Sequence, residues 1–322
     1  MKLLDEENIA FGPVPSRRLG RSLGINNIPP KTCSYSCVYC QLGKTSNMLV
    51  KRQSFYKPEA ILREVERKVH EAYLRNEKID YLTFVPDGEP TLDINIGEEI
   101  SLLKRIGIPI AVITNASLLW LSDLRENLME SDFISVKIDA VSQDLWRAIN
   151  RPHKILRLNE ILEGIREFME TFNGTVVSET MLIDGVKYNS EFAKMANFLK
   201  GLAKLDRAYI AIPTRPPAET WVKPANEETL NAAFQTFSKT LGSDKVEFLI
   251  EYEGNAFAFT GNVKEDLLSI TAVHPMRKEA VIEFLKRAKA DWQVIEELLQ
   301  QKKLTEIEYE GKKYYMRKLP VR

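Results

Sequence analysis

Residues 33–40 read Cys33-Ser34-Tyr35-Ser36-Cys37-Val38-Tyr39-Cys40, and they hold every cysteine of the 322-residue chain. A single cysteine is commonly a small buried hydrophobe, but that reading explains three in eight residues poorly. A structural zinc site takes four ligands. The three histidines, His70, His153 and His274, lie far from the segment and at no finger-like spacing. Thiolates are also soft ligands suited to iron–sulfur clusters. A cubane held by three thiolates leaves one iron without a protein ligand. Metal sites keep such an open position when they must bind a substrate. The CxxxCxxC spacing also differs from the CxxCxxC runs of ferredoxins.

Bulk composition sets the frame. Apolar residues make up 44%, enough for a sizeable core. Lys+Arg and Asp+Glu both number 45. That balance argues against a protein that coats nucleic acid, while leaving room for a local basic patch. No apolar run approaches the roughly 18 residues of a membrane span, and MKLLDEENIA lacks a signal-peptide core. A soluble, cytoplasmic protein with reduced thiols and no membrane partner is expected.

Along the chain, short β-rich runs alternate with helical patterns. The expected strands are 23–28, 79–85, 109–114, 133–138, 175–182, 207–212 and 246–252. Pro58 opens a helix, at a position proline tolerates, and Ile61, Leu62, Val65, Val69 and Tyr73 share its apolar face. Further helical patterns fall near 94–105, 120–130, 159–171, 191–202 and 227–241. Such alternation implies an α/β fold of βα units on a parallel sheet, a partial or full barrel with its chemistry at the C-terminal strand ends. After about residue 262 the pattern changes to two helices (276–288, 291–301) and a hairpin turning at Glu310-Gly311. The expected division is therefore a barrel over 1–262 and a winged-helix-like domain over 263–322.

The segment Cys33–Cys40, with an aromatic residue before its last cysteine, resembles the signature of radical S-adenosylmethionine (SAM) enzymes. The resemblance implies a partial (β/α)6 barrel whose cluster loop follows the first strand. It implies a [4Fe-4S] cluster held by Cys33, Cys37 and Cys40, with SAM chelated at the open iron. An electron from the reduced cluster then cleaves SAM to methionine and a 5′-deoxyadenosyl radical, which abstracts a substrate hydrogen. Pro86-Asp87-Gly88-Glu89-Pro90-Thr91 resembles the family's GGEP segment, which binds the SAM amino group, with Asp87 in place of the first glycine. Thr114-Asn115 resembles the Thr-Asn of many members near SAM. On the fourth strand, alternation puts Ser135, Lys137 and Asp139 on one face, similar to glycyl-radical activating enzymes. The resemblance thus names Tyr39, Gly88, Glu89, Pro90, Asn115, Ser135, Lys137 and Asp139 as SAM-site residues. An internal Lys–Asp pair without a ligand is the plainer reading of Lys137 and Asp139. Glu179, Met181 and Arg215 are weaker candidates.

The segment 11–24 carries Arg17, Arg18 and Arg21, which either bind anionic groups or clamp the first strand. It resembles the start of a subgroup that includes archaeal wyosine-synthesis enzymes, but the chain lacks the cysteines of their second cluster. Residues 272–322 hold twelve Lys/Arg and eight Asp/Glu. Lys302, Lys303, Lys312, Lys313, Arg317, Lys318 and Arg322 are interleaved with Tyr309, Tyr314 and Tyr315, which suits phosphates or a solvated wing with core tyrosines. Expected partners are a substrate, tRNA or a protein, and an electron donor such as flavodoxin or ferredoxin. Two rival readings stand beside RNA modification. One is a protein glycyl-radical activase; the other is a nucleic-acid-binding regulator with a structural Fe–S or zinc loop.

Overall fold

The computed structural model describes residues 9–318 apart from Asn189 and Tyr252. The ends of two expected elements, Tyr252 and Leu319, and the basic Arg322 lie outside the described residues. In chain order come β1 (Ala10–Ser16), β2 (Gly20–Ile25), β3 (Thr32–Cys33), β4 (Asn47–Met48), α1 (Pro58–Leu74), β5 (Tyr81–Phe84) and α2 (Ile96–Leu103). There follow β6 (Ile110–Thr114), α3 (Ser122–Asn127), β7 (Phe133–Lys137), α4 (Gln143–Asn150), α5 (Leu158–Thr171), β8 (Thr175–Met181) and α6 (Glu191–Lys200). β9 (Leu205–Ala211), α7 (Glu227–Leu241) and β10 (Val246–Leu249) complete this part.

The main sheet runs β1-β2-β5-β6-β7-β8-β9-β10, parallel from β2 onward and antiparallel at β1. The expected partial barrel is thus present, with β10 as a seventh parallel strand. Its curl is visible at one end of the lumen. Leu19 from the β1–β2 turn packs with Ala111, Phe133, Val177, Tyr209 and Leu249, so residues from both ends of the sheet share one cluster. Arg17 of the same turn donates to the carbonyls of Leu249 and Glu251, tying the first hairpin to the last strand. β1 was not among the expected strands, because Pro13 and Pro15 break its ladder. Proline is tolerated on an edge strand, which is where β1 lies. The short helix α4 was also unforeseen.

Past β10 come α8 (Val263–Val273), β11 (Met276–Arg277), α9 (Lys278–Ala288), α10 (Gln293–Gln300), β12 (Leu304–Tyr309) and β13 (Lys312–Arg317). Their antiparallel sheet has the order β11-β13-β12. Glu310 and Gly311 at the tight turn both have positive φ, 49° and 65°, as a type I′ hairpin requires. This part has its own core of Leu267, Ile270, Met276, Phe284, Leu298 and Tyr315, but Phe11 and Val14 of β1 complete it. The buried Lys68 of α1 also reaches across to Asp266 at 3.3 Å and Thr260 at 3.1 Å. Among the described residues no helix is long and apolar enough to cross a membrane.

Where the turn after β5 leads into α2, two carboxyl groups are buried together, Asp93 and Glu99. Burial pushes Asp93 up to about 7. Burial, then the Asp93 charge, raises Glu99 well above the usual range. Both groups therefore hold protons in the folded chain that the unfolded chain releases from about pH 4 upward. Their contribution is full below that pH and is lost as pH rises through about 7. Stability should fall across this window, by at most about 1.4 kcal/mol per pH unit for each proton. Glu99→Gln should flatten the slope in urea denaturation curves taken across that range.

Candidate active site

The cysteine loop is held from three sides. On the first, β3 pairs with β4 and bridges to Gly88. The Glu89 amide donates to the Thr32 carbonyl at 3.1 Å, and the Lys31 amide donates to the Asp87 carbonyl at 2.6 Å. A Cβ at Gly88 would collide with the Thr32 carbonyl oxygen, so only glycine permits this approach. On the second side, Asn115 at the end of β6 donates to Ser34 Oγ at 2.9 Å and to Cys33 Sγ at 3.5 Å. On the third, the amides of Ser36 and Val38 donate to the carbonyls of Asn150 and Ile149 at the end of α4.

Glu89 organises the turn. Its Oε1 accepts from the Thr91 amide (3.2 Å), the Thr91 hydroxyl (2.6 Å) and the Thr114 hydroxyl (2.6 Å), and its Oε2 accepts from the Asn115 amide (2.7 Å). The carboxylate expected to face a ligand is thus occupied in joining the ends of β5 and β6. Burial raises its pKa, and these hydrogen bonds pull it back down. Pro90 starts the buried single turn that follows. Asp87, in the place of a family glycine, is buried, and its Oδ1 lacks a hydrogen-bond partner among the described residues. Burial pushes its carboxyl up to about 7 against the pull of Arg317 and Lys31.

The polar face of β7 and the residues beyond it has different partners from those the spacing suggests. Lys137 pairs with Glu179 of β8 at 2.7 Å, not with Asp139, and its ammonium lies 4.9 Å from the Tyr39 ring centre. Asp139 instead accepts from the Tyr39 hydroxyl, from Asn150 Nδ2 at 2.6 Å and from the Met181 amide at 2.8 Å. Ser135 accepts from Arg18 at 3.4 Å, and Arg18 also pairs with Glu179. Burial lowers Lys137 and brings Arg18 down to about 10. The three arginines of the first hairpin all have protein partners, the third being Arg21 with Glu77 and the Ala256 carbonyl. They act as clamps.

Asn150, which also donates to Cys37 Sγ at 3.5 Å, escaped the sequence reading. Its signal was the helix-ending run Asn150-Arg151-Pro152. A second group, of which the sequence reading named only Arg215, closes the barrel mouth. Arg215, from the loop after β9, pairs with Glu253, donates to Gln41 Oε1 at 2.8 Å and contacts His274 Nε2 at 2.8 Å. Gln41, next to Cys40, donates to the Val273 carbonyl of α8 at 2.8 Å. Tyr309 and Tyr314 of the C-terminal hairpin donate to the carbonyls of Pro213 and Thr214. Between this wall and the strands lies a cavity of about 140 Å³ reached by Arg18, Ser22, Thr83, Gln41, Arg215 and Glu253. Oε2 of the buried Glu253 has no hydrogen-bond partner among the described residues. Burial, then Arg215, lowers His274 well below its usual range, so it is neutral.

Burial, then the Glu89 charge and the neighbouring thiols of Cys37 and Cys40, raises Cys33. Burial pushes Cys37 up to about 12 and raises Cys40. Among the described residues no three His, Cys, Asp or Glu side chains gather as a single metal ion would require. A cubane spreads its thiolates wider than one ion does. The all-sulfur donor set, with amide N–H groups of Asn115 and Asn150 aimed at two of the sulfurs, fits an iron–sulfur cluster.

The profile of the radical SAM superfamily matches residues 27–199. A "UPF0026 protein" of Methanocaldococcus jannaschii is 47% identical over 315 residues, 98% of this chain and 97% of the relative. A radical SAM methyltransferase structure from Sphaerobacter thermophilus is similar in fold, with TM-score 0.52 and 16% identity over 72% of this chain and 66% of that one. A structure of TYW1 with a lysine-pyruvate adduct bound aligns with TM-score 0.48 and 14% identity over 68% of this chain and 73% of that one.

The four hydrogen bonds on Glu89 generate a direct test. Glu89→Ala should strand their buried donors and cost about 3 kcal/mol or more, measured by urea denaturation.

Proposed function

The chain belongs to the radical SAM superfamily, and from that premise we propose that it abstracts hydrogen from a group entering the polar cavity at the barrel mouth, with RNA as the substrate class. It is an enzyme of this class, and its cofactors are a [4Fe-4S] cluster and SAM. That sets aside the reading of a regulator with a structural loop. When bound, cluster and SAM together supply a 5′-deoxyadenosyl radical. Cys33, Cys37 and Cys40 hold the cluster in this reading. Gly88, Glu89, Pro90 and Asn115 would shape the wall that takes the amino-acid end of SAM. Asp139 orients Tyr39, while Ser135 and Lys137 line the adjoining polar face. Glu179 holds Lys137 in place and is itself shared with Arg18.

The observation that carries this reading is the cavity, lined by Gln41 after the last cysteine, by the first hairpin, and by Val273 and His274 of the C-terminal part. Its volume is close to that of an engineered cavity of about 150 Å³ that admits benzene. It therefore takes one ring or one short side chain, and a polynucleotide would present a single unstacked base. Glu253 Oε2, which has no hydrogen-bond partner among the described residues, offers an acceptor to the edge of a base. The C-terminal helices and hairpin, read as a winged-helix-like domain over 263–322, carry exposed Lys302, Lys303, Lys312 and Lys318. These suit backbone phosphates. Tyr314 and Tyr315 are buried and serve packing and docking.

Anaerobic reconstitution should give a brown protein with about four irons per chain. With dithionite and SAM it should form 5′-deoxyadenosine, and Cys33→Ala, Cys37→Ala or Cys40→Ala should each abolish this. Colourless protein with stoichiometric zinc and no SAM cleavage sinks the reading. For the substrate, binding to bulk tRNA should weaken steeply with salt. The combined variant Lys302→Glu, Lys303→Glu and Lys312→Glu should reduce the salt slope by about 0.7–0.9 for each phosphate contact removed. Salt-independent or absent tRNA binding, with deuterium passing from a labelled peptide glycine into 5′-deoxyadenosine, would move the substrate class to protein.

A further inference from the structure

We propose that Asn150 tunes the reduction potential of the cluster, by donating a hydrogen bond to Cys37 Sγ from an amide that Asp139 holds in place. The proposal rests on the radical SAM reading above, in which Cys37 is a cluster ligand and the cluster takes up one electron before SAM is cleaved.

Asn150 ends α4, and that helix end is built into the cysteine loop. The amides on either side of Cys37, those of Ser36 and Val38, donate to the carbonyls of Asn150 at 3.1 Å and Ile149 at 2.9 Å. Helix end and ligand are therefore fixed to each other. The side chains of Asn150 and Asp139 are both buried. Asn150 Nδ2 lies 2.6 Å from Asp139 Oδ2, 3.4 Å from the Tyr39 hydroxyl and 3.5 Å from Cys37 Sγ. A carboxylate only accepts hydrogen bonds. Asp139 thus dictates which end of the amide turns inward, and an N–H falls on the sulfur. The carboxylate is pinned in turn by the Met181 amide of β8 at 2.8 Å and by the Tyr39 hydroxyl.

The same device serves Cys33. Asn115 Oδ1 accepts from the Ser117 amide at 2.9 Å, which turns its Nδ2 toward Cys33 Sγ at 3.5 Å. Asn115 also belongs to the wall assigned to SAM, so replacing it would change two things at once. Asn150 is not one of the residues of that wall.

Reduction adds one electron to the cluster, and part of the added charge resides on its sulfurs. A donor held against one of them favours the reduced form and raises the potential. The low local dielectric around a buried amide strengthens the effect. The Asp139 carboxylate acts with the opposite sign, because a fixed negative charge beside Cys37 disfavours the added electron. Lys137 is paired with Glu179 and not with Asp139. Amide and carboxylate together set the balance, the first upward and the second downward.

The test uses the full chain, reconstituted anaerobically and kept free of SAM. It is titrated with dithionite and redox mediators while the reduced cluster is followed by electron paramagnetic resonance. Asn150→Leu keeps the bulk of the side chain and removes its N–H. It should lower the midpoint, with the ratio of reduced to oxidised cluster at a given potential falling about tenfold, or about 59 mV for one electron. Asp139→Asn removes the charge and leaves a side-chain oxygen for the Asn150 amide, so it should raise the midpoint. A merely loosened loop would admit water and shift both upward. An unchanged midpoint in Asn150→Leu overturns the proposal, and so do shifts of the same sign in the two variants. Should Asn150→Leu fail to hold the cluster, the unsubstituted protein decides. With 15N in its asparagine side chains, pulsed electron paramagnetic resonance of the reduced cluster should show weak coupling to two amide nitrogens, those of Asn115 and Asn150. Coupling to one or none overturns the proposal. Failure of the unsubstituted protein to take up a four-iron cluster instead overturns the radical SAM reading itself.

Discussion

The Thr32 carbonyl resting against Gly88 is the contact on which the barrel mouth depends. A loop of eight residues with three cysteines has no regular structure of its own to hold it. Here its first residues borrow the end of a strand, through Thr32 and Glu89 on one edge and β4 on the other. Glu89 extends the borrowing to the next strand, because one buried carboxylate gathers donors from both the turn and Thr114-Asn115. A buried carboxylate is costly unless its oxygens are bonded. The four donors that satisfy it are also what fix the turn.

Buried charge recurs around the lumen in the same form, always shared among several partners. Glu179 takes both Lys137 and Arg18. Glu253 takes Arg215, with His274 alongside at 3.4 Å. The first network joins β7 and β8 to the opening hairpin. The second joins the loop after β9 to the C-terminal part and, through Gln41, to the residue after the last cysteine. The C-terminal part is therefore a wall of the cavity as well as a surface of its own. Its core is completed by Phe11 and Val14 from the other end of the chain.

Much of this was legible in the sequence. Seven strands and six of the barrel helices follow from apolar periodicity, since burial of one face dictates it. The hairpin turn follows from Glu310-Gly311, which tolerates left-handed backbone. The cysteine spacing pointed to the cluster site because three soft ligands without a fourth suit few other metal sites. What misled was partner choice. Lys137 and Asp139 are two residues apart on one face, yet each is satisfied by a residue brought in from elsewhere, Glu179 and Tyr39. The edge strand β1 was hidden by prolines, and α4 by its shortness.

The sequence by itself determined which residue types could bind what: three thiols, a glycine turn, a polar strand face. Those depend on local chemistry and on periods of two and 3.6 residues. Only the tertiary structure decided which charges meet and which surfaces are left open. It set Arg18 against Glu179, 161 residues away in the chain, and Arg215 between Gln41, Glu253 and His274. The physical reason is that a buried charge takes whichever partner the packing brings within hydrogen-bond reach, and that partner leaves no trace in the spacing of its neighbours.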